Sequence, residues 1–189
     1  ASRNILLLSI VSTVSILGLI YMKARDPSIY LVDFASYKSL DKYKLSIQHC
    51  VQLTRDAKTA TPSNMLFQLK VLLKSGLGDD VYGPPFLFTR PIQSPSLSSA
   101  NAEMDQMMFG ALDELLAKTS IDPSQIDFLI VNVSMFYPSP SLSSHLVHHY
   151  KMREDVKTFN ISGMGCAAGM VAVDLAKDML RVHKDKYAV

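Results

Sequence analysis

The sequence has few cysteines and almost no net charge, and these two scarcities exclude several classes of protein. Its 189 residues include only Cys50 and Cys166, too few for the disulfide framework that holds small secreted domains together. The 19 lysine and arginine residues nearly balance the 17 aspartate and glutamate residues, so there is no basic footprint for nucleic acid. Because 48% of the residues are hydrophobic, the chain is also too apolar to be disordered. The length suits one domain of ordinary size.

A long hydrophobic run near the start of the sequence predicts a membrane anchor. Residues 5–22 carry no charge, and they lie between Arg3 on one side and Lys23 and Arg25 on the other. A helix of this length, at about 1.5 Å per residue, measures roughly 27 Å. That is close to the roughly 30 Å hydrocarbon thickness of a bilayer. A cleaved signal peptide and a buried core helix are the alternatives, although the run exceeds a usual signal-peptide core.

The distribution of basic residues predicts how the anchor is oriented. The run is preceded by one basic residue, and it is followed by two at once and then by Lys38, Lys42 and Lys44. Because basic residues collect on the cytosolic side of a membrane, we expect residues 1–25 to form the anchor and residues 26–189 to lie in the cytosol.

The rest of the chain alternates segments with strand and helix patterns, which is typical of a layered α/β domain with some parallel strands. Residues 35–60 give no clear prediction, and the proline- and serine-rich residues 76–99 indicate an irregular segment that could form a functional loop. The predicted strands cover residues 29–34, 128–133 and 156–162, and the predicted helices cover residues 62–75, 104–115, 142–152 and 167–182.

The glycine-rich segment before the last predicted helix holds a candidate nucleophile, Cys166. Residues 167–173 are apolar on all sides, so we expect the helix to start in the core with Cys166 at its buried end. The positive end of a helix dipole lowers the pKa of a nearby cysteine and favours the reactive thiolate. Gly163 and Gly165 would let a substrate approach the backbone, and the Cys166 amide could hold an oxyanion. An inert core cysteine is the alternative, and the residues alone leave both open.

Three other patterns do not form the sites they superficially suggest. A hydrolase nucleophile elbow needs glycine at two positions that hold Met164 and Ala168. Residues 75–78 lack the Lys-Ser/Thr pair of a phosphate-binding loop and indicate the end of a helix. The three histidines within residues 145–149 could share a helix face, but no nearby carboxylate or cysteine completes a metal site. We therefore predict no metal site.

Several segments of the chain, in the same order, resemble the plant 3-ketoacyl-CoA synthases. The most distinctive is Asn-Ile-Ser-Gly-Met-Gly-Cys-Ala-Ala-Gly, residues 160–169. The others are residues 30–34, 75–80, 108–115, 132–143, 149–153 and 174–178. Because the segments are collinear from about residue 29 to residue 180, the resemblance is specific to that family.

The resemblance implies a thiolase-like condensing enzyme of very-long-chain fatty acid elongation, related to chalcone-synthase-type polyketide synthases. In such enzymes the cysteine that matches Cys166 takes an acyl group from long-chain acyl-CoA as a thioester. Decarboxylation of malonyl-CoA then supplies the carbanion that attacks the thioester, releasing 3-ketoacyl-CoA, CO2 and CoA. No cofactor is implied, and Gly163 and Gly165 are the candidate substrate-binding residues.

The resemblance also implies a cellular location and partners. Members of the family lie in the endoplasmic reticulum membrane, and we expect a homodimer or a heterodimer with related synthases, with the loop after Phe136 near the interface. The family's catalytic set is Cys, His and Asn, and none of the five histidines here matches the family's histidine. We therefore expect residues 26–189 to be the N-terminal half of the condensing domain, able to accept an acyl group but not to condense it. The alternative is a non-catalytic, truncated membrane-bound paralogue that pairs with full-length synthases.

Overall fold

A computed structural model of the protein describes residues 11–18, 27–56, 61–89 and 96–189. The chain divides into two units. The sheet unit comprises Thr119–Val189 together with the residues up to Val32, and the helical unit comprises Asp33–Lys118.

The predicted membrane span lies only partly within the described residues. Residues 11–18 are helical (α1), and the other residues of the predicted span, 5–10 and 19–22, lie outside the described residues. Among the described helices, none is both long enough and apolar enough to cross a bilayer. The anchor stays a prediction from the sequence.

The described residues of the helical unit form three α-helices, two short 3-10 helices and one short antiparallel strand pair. Its elements are β1 (Lys44–Leu45), α2 (Ile47–Asp56), α3 (Pro62–Lys74), β2 (Val81–Tyr82) and α4 (Leu97–Thr119). The limits of α3 agree with the prediction because they are set locally. The Thr61 hydroxyl accepts the N–H of Asn64 at 3.2 Å, and Gly76 follows the helix with a φ of +75°.

The strand predicted over residues 29–34 is wrong. Residues 27–40 form no regular secondary structure, and Tyr30, Leu31, Val32 and Phe34 are exposed. A high β-propensity describes how well a side chain packs on a sheet, and no described strand pairs with this segment. The residues without a clear prediction, 35–60, contain β1 and α2.

The sheet unit confirms the predicted parallel α/β arrangement. Its elements are β3 (Ile126–Asn132), α5 (Leu142–Tyr150), β4 (Lys157–Ile161), α6 (Ala168–Val182) and β5 (Tyr187–Ala188). The strand order is β4-β3-β5, and β3 is parallel to both neighbours. The register runs from Phe128 opposite Lys157 to Asn132 opposite Ile161.

The core of the sheet unit surrounds β3. Four consecutive residues, Ile126 to Leu129, are buried, so both faces of the strand are covered as predicted. Leu142 and Leu146 of α5 and Ala168 of α6 are also buried. The connection through α5 runs from β3 to β4, and the connection through α6 runs back across the sheet from β4 to β5. If both connections are right-handed, as is usual, the two helices lie on opposite faces of the sheet.

A buried carboxylate, Asp127, connects the central strand to two later segments. Its oxygens accept a 2.7 Å bond from Arg153 Nη2 and a 3.1 Å bond from the Tyr187 N–H, and Lys186 Nζ lies 3.1 Å away. Burial raises the pKa of Asp127, but the Tyr187 N–H and the two cations lower it more. The pKa therefore lies below its ordinary value of 3.8.

Acid is expected to weaken the sheet unit through Asp127. Because the pKa of Asp127 is lower in the folded chain than in the unfolded chain, its carboxylate stabilises the fold above a pH of about 4. This contribution is lost as the pH falls through that value towards the folded-state pKa. Urea unfolding at about pH 6 and about pH 3 measures the loss, and Asp127→Asn should flatten the pH dependence. Equal slopes in the wild type and the variant would contradict this assignment.

Candidate functional site

The candidate site lies where the two neighbouring parallel strands end. Asn132 and Ile161 are opposite each other at the carboxyl ends of β3 and β4. Residues 162–164 leave β4 and lead into a 3-10 turn, Gly165–Ala167, and α6 begins at once after that turn. The carboxyl edge of a parallel sheet is where open α/β folds bind their ligands.

Two glycines shape the backbone before the helix. Gly163 has a φ of +79° and Gly165 a φ of +58°, both in the left-handed region that residues with a side chain rarely adopt. An added β-carbon at either position would meet open space, so the backbone conformation and not crowding requires glycine. Both predicted substrate-binding glycines therefore hold the turn that carries Cys166.

Alanine at either glycine is expected to strain this turn. Gly163→Ala and Gly165→Ala should each lower the free energy of unfolding by about 1 kcal/mol, because an L-residue is disfavoured at positive φ. Gly169→Ala is the matched control. Gly169 is helical, and its added β-carbon would lie 3.5 Å from the Asn132 side-chain nitrogen, an ordinary contact. Urea unfolding should show that this variant is as stable as the wild type or more stable. Equal losses in all three variants would contradict the strain argument.

Cys166 is exposed in the centre of the 3-10 turn, immediately before the residue that caps α6. The expectation that it lies at a buried helix end is therefore wrong. In the first turns of α6 only Ala168 is buried, whereas Met170 and Val173 are exposed. One stripe of the helix is buried or half-buried, and its other apolar residues are exposed.

Two further side chains from β3 and the residues after it lie against the turn. The Ser134 hydroxyl donates to the Gly165 carbonyl at 3.3 Å, and the Asn132 amide lies beside Gly169. Neither residue is among the site residues predicted from the sequence. The available signal was their position at the end of a buried strand, because the carboxyl ends of parallel strands share one edge of the sheet.

A hydrogen-bonded pair, Asn160 and the buried Ser143, fixes the strand from which the turn leaves. The Asn160 amide donates to the Ser143 hydroxyl at 2.7 Å, and the Ser143 N–H reaches Asn160 Oδ1 at 3.4 Å. Ser143 is 1% exposed and lies in the first turn of α5. Each residue donates one hydrogen bond to the other, so the polar groups of both are paired. The pair joins α5 to β4, two residues before the loop that begins at Ser162.

The electrostatics of the turn come from the backbone. Among the described residues, no side chain caps α6, and its first turn contains no acidic residue. The Ala168 N–H bonds back to the Gly165 and Cys166 carbonyls within the 3-10 turn, and the positive end of the helix dipole lies beside Cys166. This arrangement favours a substrate oxyanion at that position.

Metal ligands do not converge in the part of the chain that the structure describes. No group of three or more histidine, cysteine, aspartate or glutamate side chains there could hold a metal ion. The three histidines within residues 145–149 lie along α5 and its last turn.

Solved structures share this fold. The 1,3,6,8-tetrahydroxynaphthalene synthase of Streptomyces coelicolor A3(2), a bacterial type III polyketide synthase, is 18% identical with a TM-score of 0.61, covering 79% of this chain and 43% of its own. A structure of CsyB complexed with CoA-SH is 20% identical with a TM-score of 0.64, covering 81% and 42%. The sheet and its helices therefore have the thiolase-like fold of type III polyketide synthases, as predicted.

Curated relatives are more similar in sequence. The 3-ketoacyl-CoA synthases 9 and 4 of Arabidopsis thaliana are 41% and 42% identical over 187 residues, which is 98% of this chain. The chain spans 36% of the length of each of them. A sequence model described as FAE1/Type III polyketide synthase-like protein matches residues 21–189. The resemblance found in the sequence is confirmed, and the chain belongs to the FAE1/type III polyketide synthase-like family.

Proposed function

We propose that this protein provides the acyl-accepting part of a 3-ketoacyl-CoA synthase and that Cys166 is the nucleophile. The observation that carries the proposal is the position of Cys166. It is an exposed thiol on a glycine-shaped turn, at the carboxyl edge of two parallel strands and directly before a helix. Family membership supplies the reaction class, because the curated relatives are named 3-ketoacyl-CoA synthases.

The first step is acyl transfer to the protein. The Cys166 thiolate attacks the thioester carbonyl of a long-chain acyl-CoA, and an oxyanion forms at the carbonyl oxygen. We assign the Cys166 N–H as the donor to this oxygen, with the N-terminus of α6 behind it. A new S–C bond forms to Cys166, the S–C bond to CoA breaks, and CoA leaves as a thiolate that takes a proton from solvent.

The second step, which forms the carbon–carbon bond, takes place in the complete synthase, because it also needs the histidine and asparagine of the family's catalytic set. Malonyl-CoA loses CO2, and the resulting carbanion attacks the acyl carbon held on Cys166. The S–C bond to Cys166 then breaks, which releases 3-ketoacyl-CoA and returns the free thiolate. Covalent catalysis divides one difficult condensation into two easier steps. Gly163 and Gly165 leave open space beside the turn, where the thioester of the substrate can approach the backbone.

The location and partners form part of the same proposal. Residues 1–25 anchor the protein in the endoplasmic reticulum membrane, and residues 26–189 form the N-terminal half of the condensing domain on the cytosolic side. The charge-free run 5–22 supports the anchor. A dimer contact through the loop after Phe136 is supported by the exposure of its neighbour Met135, which is 98%.

Labelled substrate tests the proposal. The full chain is incubated with long-chain acyl-CoA that is radiolabelled in the acyl group, and then it is precipitated under denaturing conditions. We expect protein-bound label that neutral hydroxylamine releases, because hydroxylamine cleaves thioesters. Acyl-CoA labelled in the CoA moiety is the control and should leave no label. A folded protein that takes up no hydroxylamine-sensitive acyl group would contradict the proposal and favour the non-catalytic alternative.

A further inference from the structure

An exposed row of leucines runs along α3 in the helical unit. Leu66, Leu69 and Leu73 are 55%, 38% and 66% exposed, and we call them the leucine edge. Their spacing of three and four residues places them on one face of the helix. A row of large apolar side chains on one surface helix indicates a surface that binds something apolar.

The neighbouring helix covers a different stripe of α3. Met65 and Leu72 are half-buried on the side that faces α2. Between the two helices lies a cleft of about 520 Å³, and α2 provides one wall of it with Val51, Thr54 and Arg55. Leu66 and Leu69 of the leucine edge line the same cleft from the side of α3, and both stay exposed.

The charges on α3 indicate an anionic partner. Lys70 and Lys74 each follow a leucine of the edge by one residue, which places them roughly 100° further round the helix. The helix contains no acidic residue. Within the described ranges, no carboxylate forms an ion pair with either lysine. Long lysine stems can lie along apolar surface while their ammonium groups reach polar groups.

We propose that α3 lies in the surface of an anionic bilayer. The leucine edge would lie among the acyl chains, and Lys70 and Lys74 would contact the lipid phosphates and carboxylates. Phe67 and Val71 of α3 are exposed as well, at 68% and 51%, so the lysines lie between two apolar rows. Such apolar side chains can enter a membrane interface while lysine ammonium groups reach the lipid headgroups. A second copy of this chain is a poorer partner, because two α3 helices would bring like charges together. The proposal is independent of acyl transfer at Cys166.

Lipid contact at Leu73 can be measured directly. The full chain, carrying Cys50→Ala and Cys166→Ser, receives an environment-sensitive fluorophore at Leu73→Cys. It is reconstituted with phosphatidylcholine vesicles that do or do not contain phosphatidylserine. We expect a blue-shifted emission in the anionic vesicles, quenched by nitroxides on the lipid acyl chains. The same label at Val182→Cys, an exposed position at the end of α6, is the control and should show neither effect.

Charge variants make the test quantitative. A basic residue near an anionic surface contributes about 1 kcal/mol. Lys70→Gln and Lys74→Gln together should therefore lower the ratio of bound to free α3 roughly thirtyfold. Lys184→Gln, in the sheet unit, should leave the Leu73 signal unchanged.

Two results would overturn the proposal. The first is a Leu73 label that keeps the emission of a solvent-exposed fluorophore in anionic vesicles. The second is a blue shift that grows with protein concentration and is not quenched by lipid nitroxides, because it would show that a second copy covers the leucine edge. Acyl labelling of the unmodified chain is measured separately, so failure here is distinguishable from failure of the proposed function.

Discussion

Replacing Cys166 by serine is expected to abolish covalent acylation of this protein. A cysteine thiol is partly ionised near neutral pH and is intrinsically nucleophilic, whereas a serine hydroxyl needs a neighbouring base. The turn keeps its backbone because serine is nearly the same size, and Gly163 and Gly165 are unchanged. We expect the rate of acyl transfer from long-chain acyl-CoA to fall at least about a hundredfold, a modest figure for the loss of a nucleophile.

Cys50→Ser is the matched control for this experiment. Cys50 is half-buried in α2, where it lines the cleft against α3, and it belongs to the helical unit. This variant should accept the acyl group at the wild-type rate. Unchanged labelling in Cys166→Ser, or loss of labelling only in Cys50→Ser, would contradict the assignment of the nucleophile.

Asp127→Ala is expected to cause a large loss of stability in the sheet unit. The substitution removes the acceptor for the Tyr187 N–H and the partner of Arg153 and Lys186. Breaking a buried ion pair leaves a charge without compensation, which costs several kcal/mol in a fully enclosed site. Arg153 and Lys186 are about one-third and two-fifths exposed, so water can recover part of that cost. We expect the free energy of unfolding to fall by about 2 kcal/mol.

Two companion variants separate the contributions. Asp127→Asn keeps an acceptor for the Tyr187 N–H and should lose less stability than Asp127→Ala. Asp155→Ala removes the exposed carboxylate that lies 3.0 Å from Arg153 Nε, and it should change stability little. Equilibrium urea unfolding of the three variants checks the order. An effect of Asp155→Ala as large as that of Asp127→Ala would contradict the role given to the buried carboxylate.

Elements whose limits depend on local chemistry could be predicted from the sequence. The start of α3 follows from the Thr61 cap and Pro62, and its end follows from Gly76. The buried strand β3 follows from a continuous apolar run, because both of its faces are covered. In each case the signal lies within a few residues of the element itself.

Elements that depend on distant partners could not be predicted. Residues 29–34 have a strand composition but no described strand to pair with. The opposite case is β5, a two-residue strand that pairs with β3 and is tied to Asp127 across 60 residues of sequence. Short strands are defined by the neighbour that they bond, and their own composition carries little information.

The sequence predicts that the three candidate site residues lie together, but it does not predict what surrounds them. Cys166, Gly163 and Gly165 lie together on one turn, because they are close in sequence. The exposure of Cys166 could not be predicted, since an apolar helix start does not reveal which side packs on a sheet. The bond from Ser134 to Gly165 joins residues 31 positions apart and appears only once β3 and β4 lie side by side.

The central claim is that Cys166 is the residue that carries the acyl group, and peptide mapping tests it most directly. After incubation with long-chain acyl-CoA, the full chain is digested with trypsin and the peptides are analysed by mass spectrometry. Cleavage after Lys157 and Lys177 gives a peptide, residues 158–177, in which Cys166 is the only cysteine. We predict the mass of one acyl group on this peptide. An acyl group on residues 45–55, which contain Cys50, or on no peptide of a folded protein, would contradict the claim.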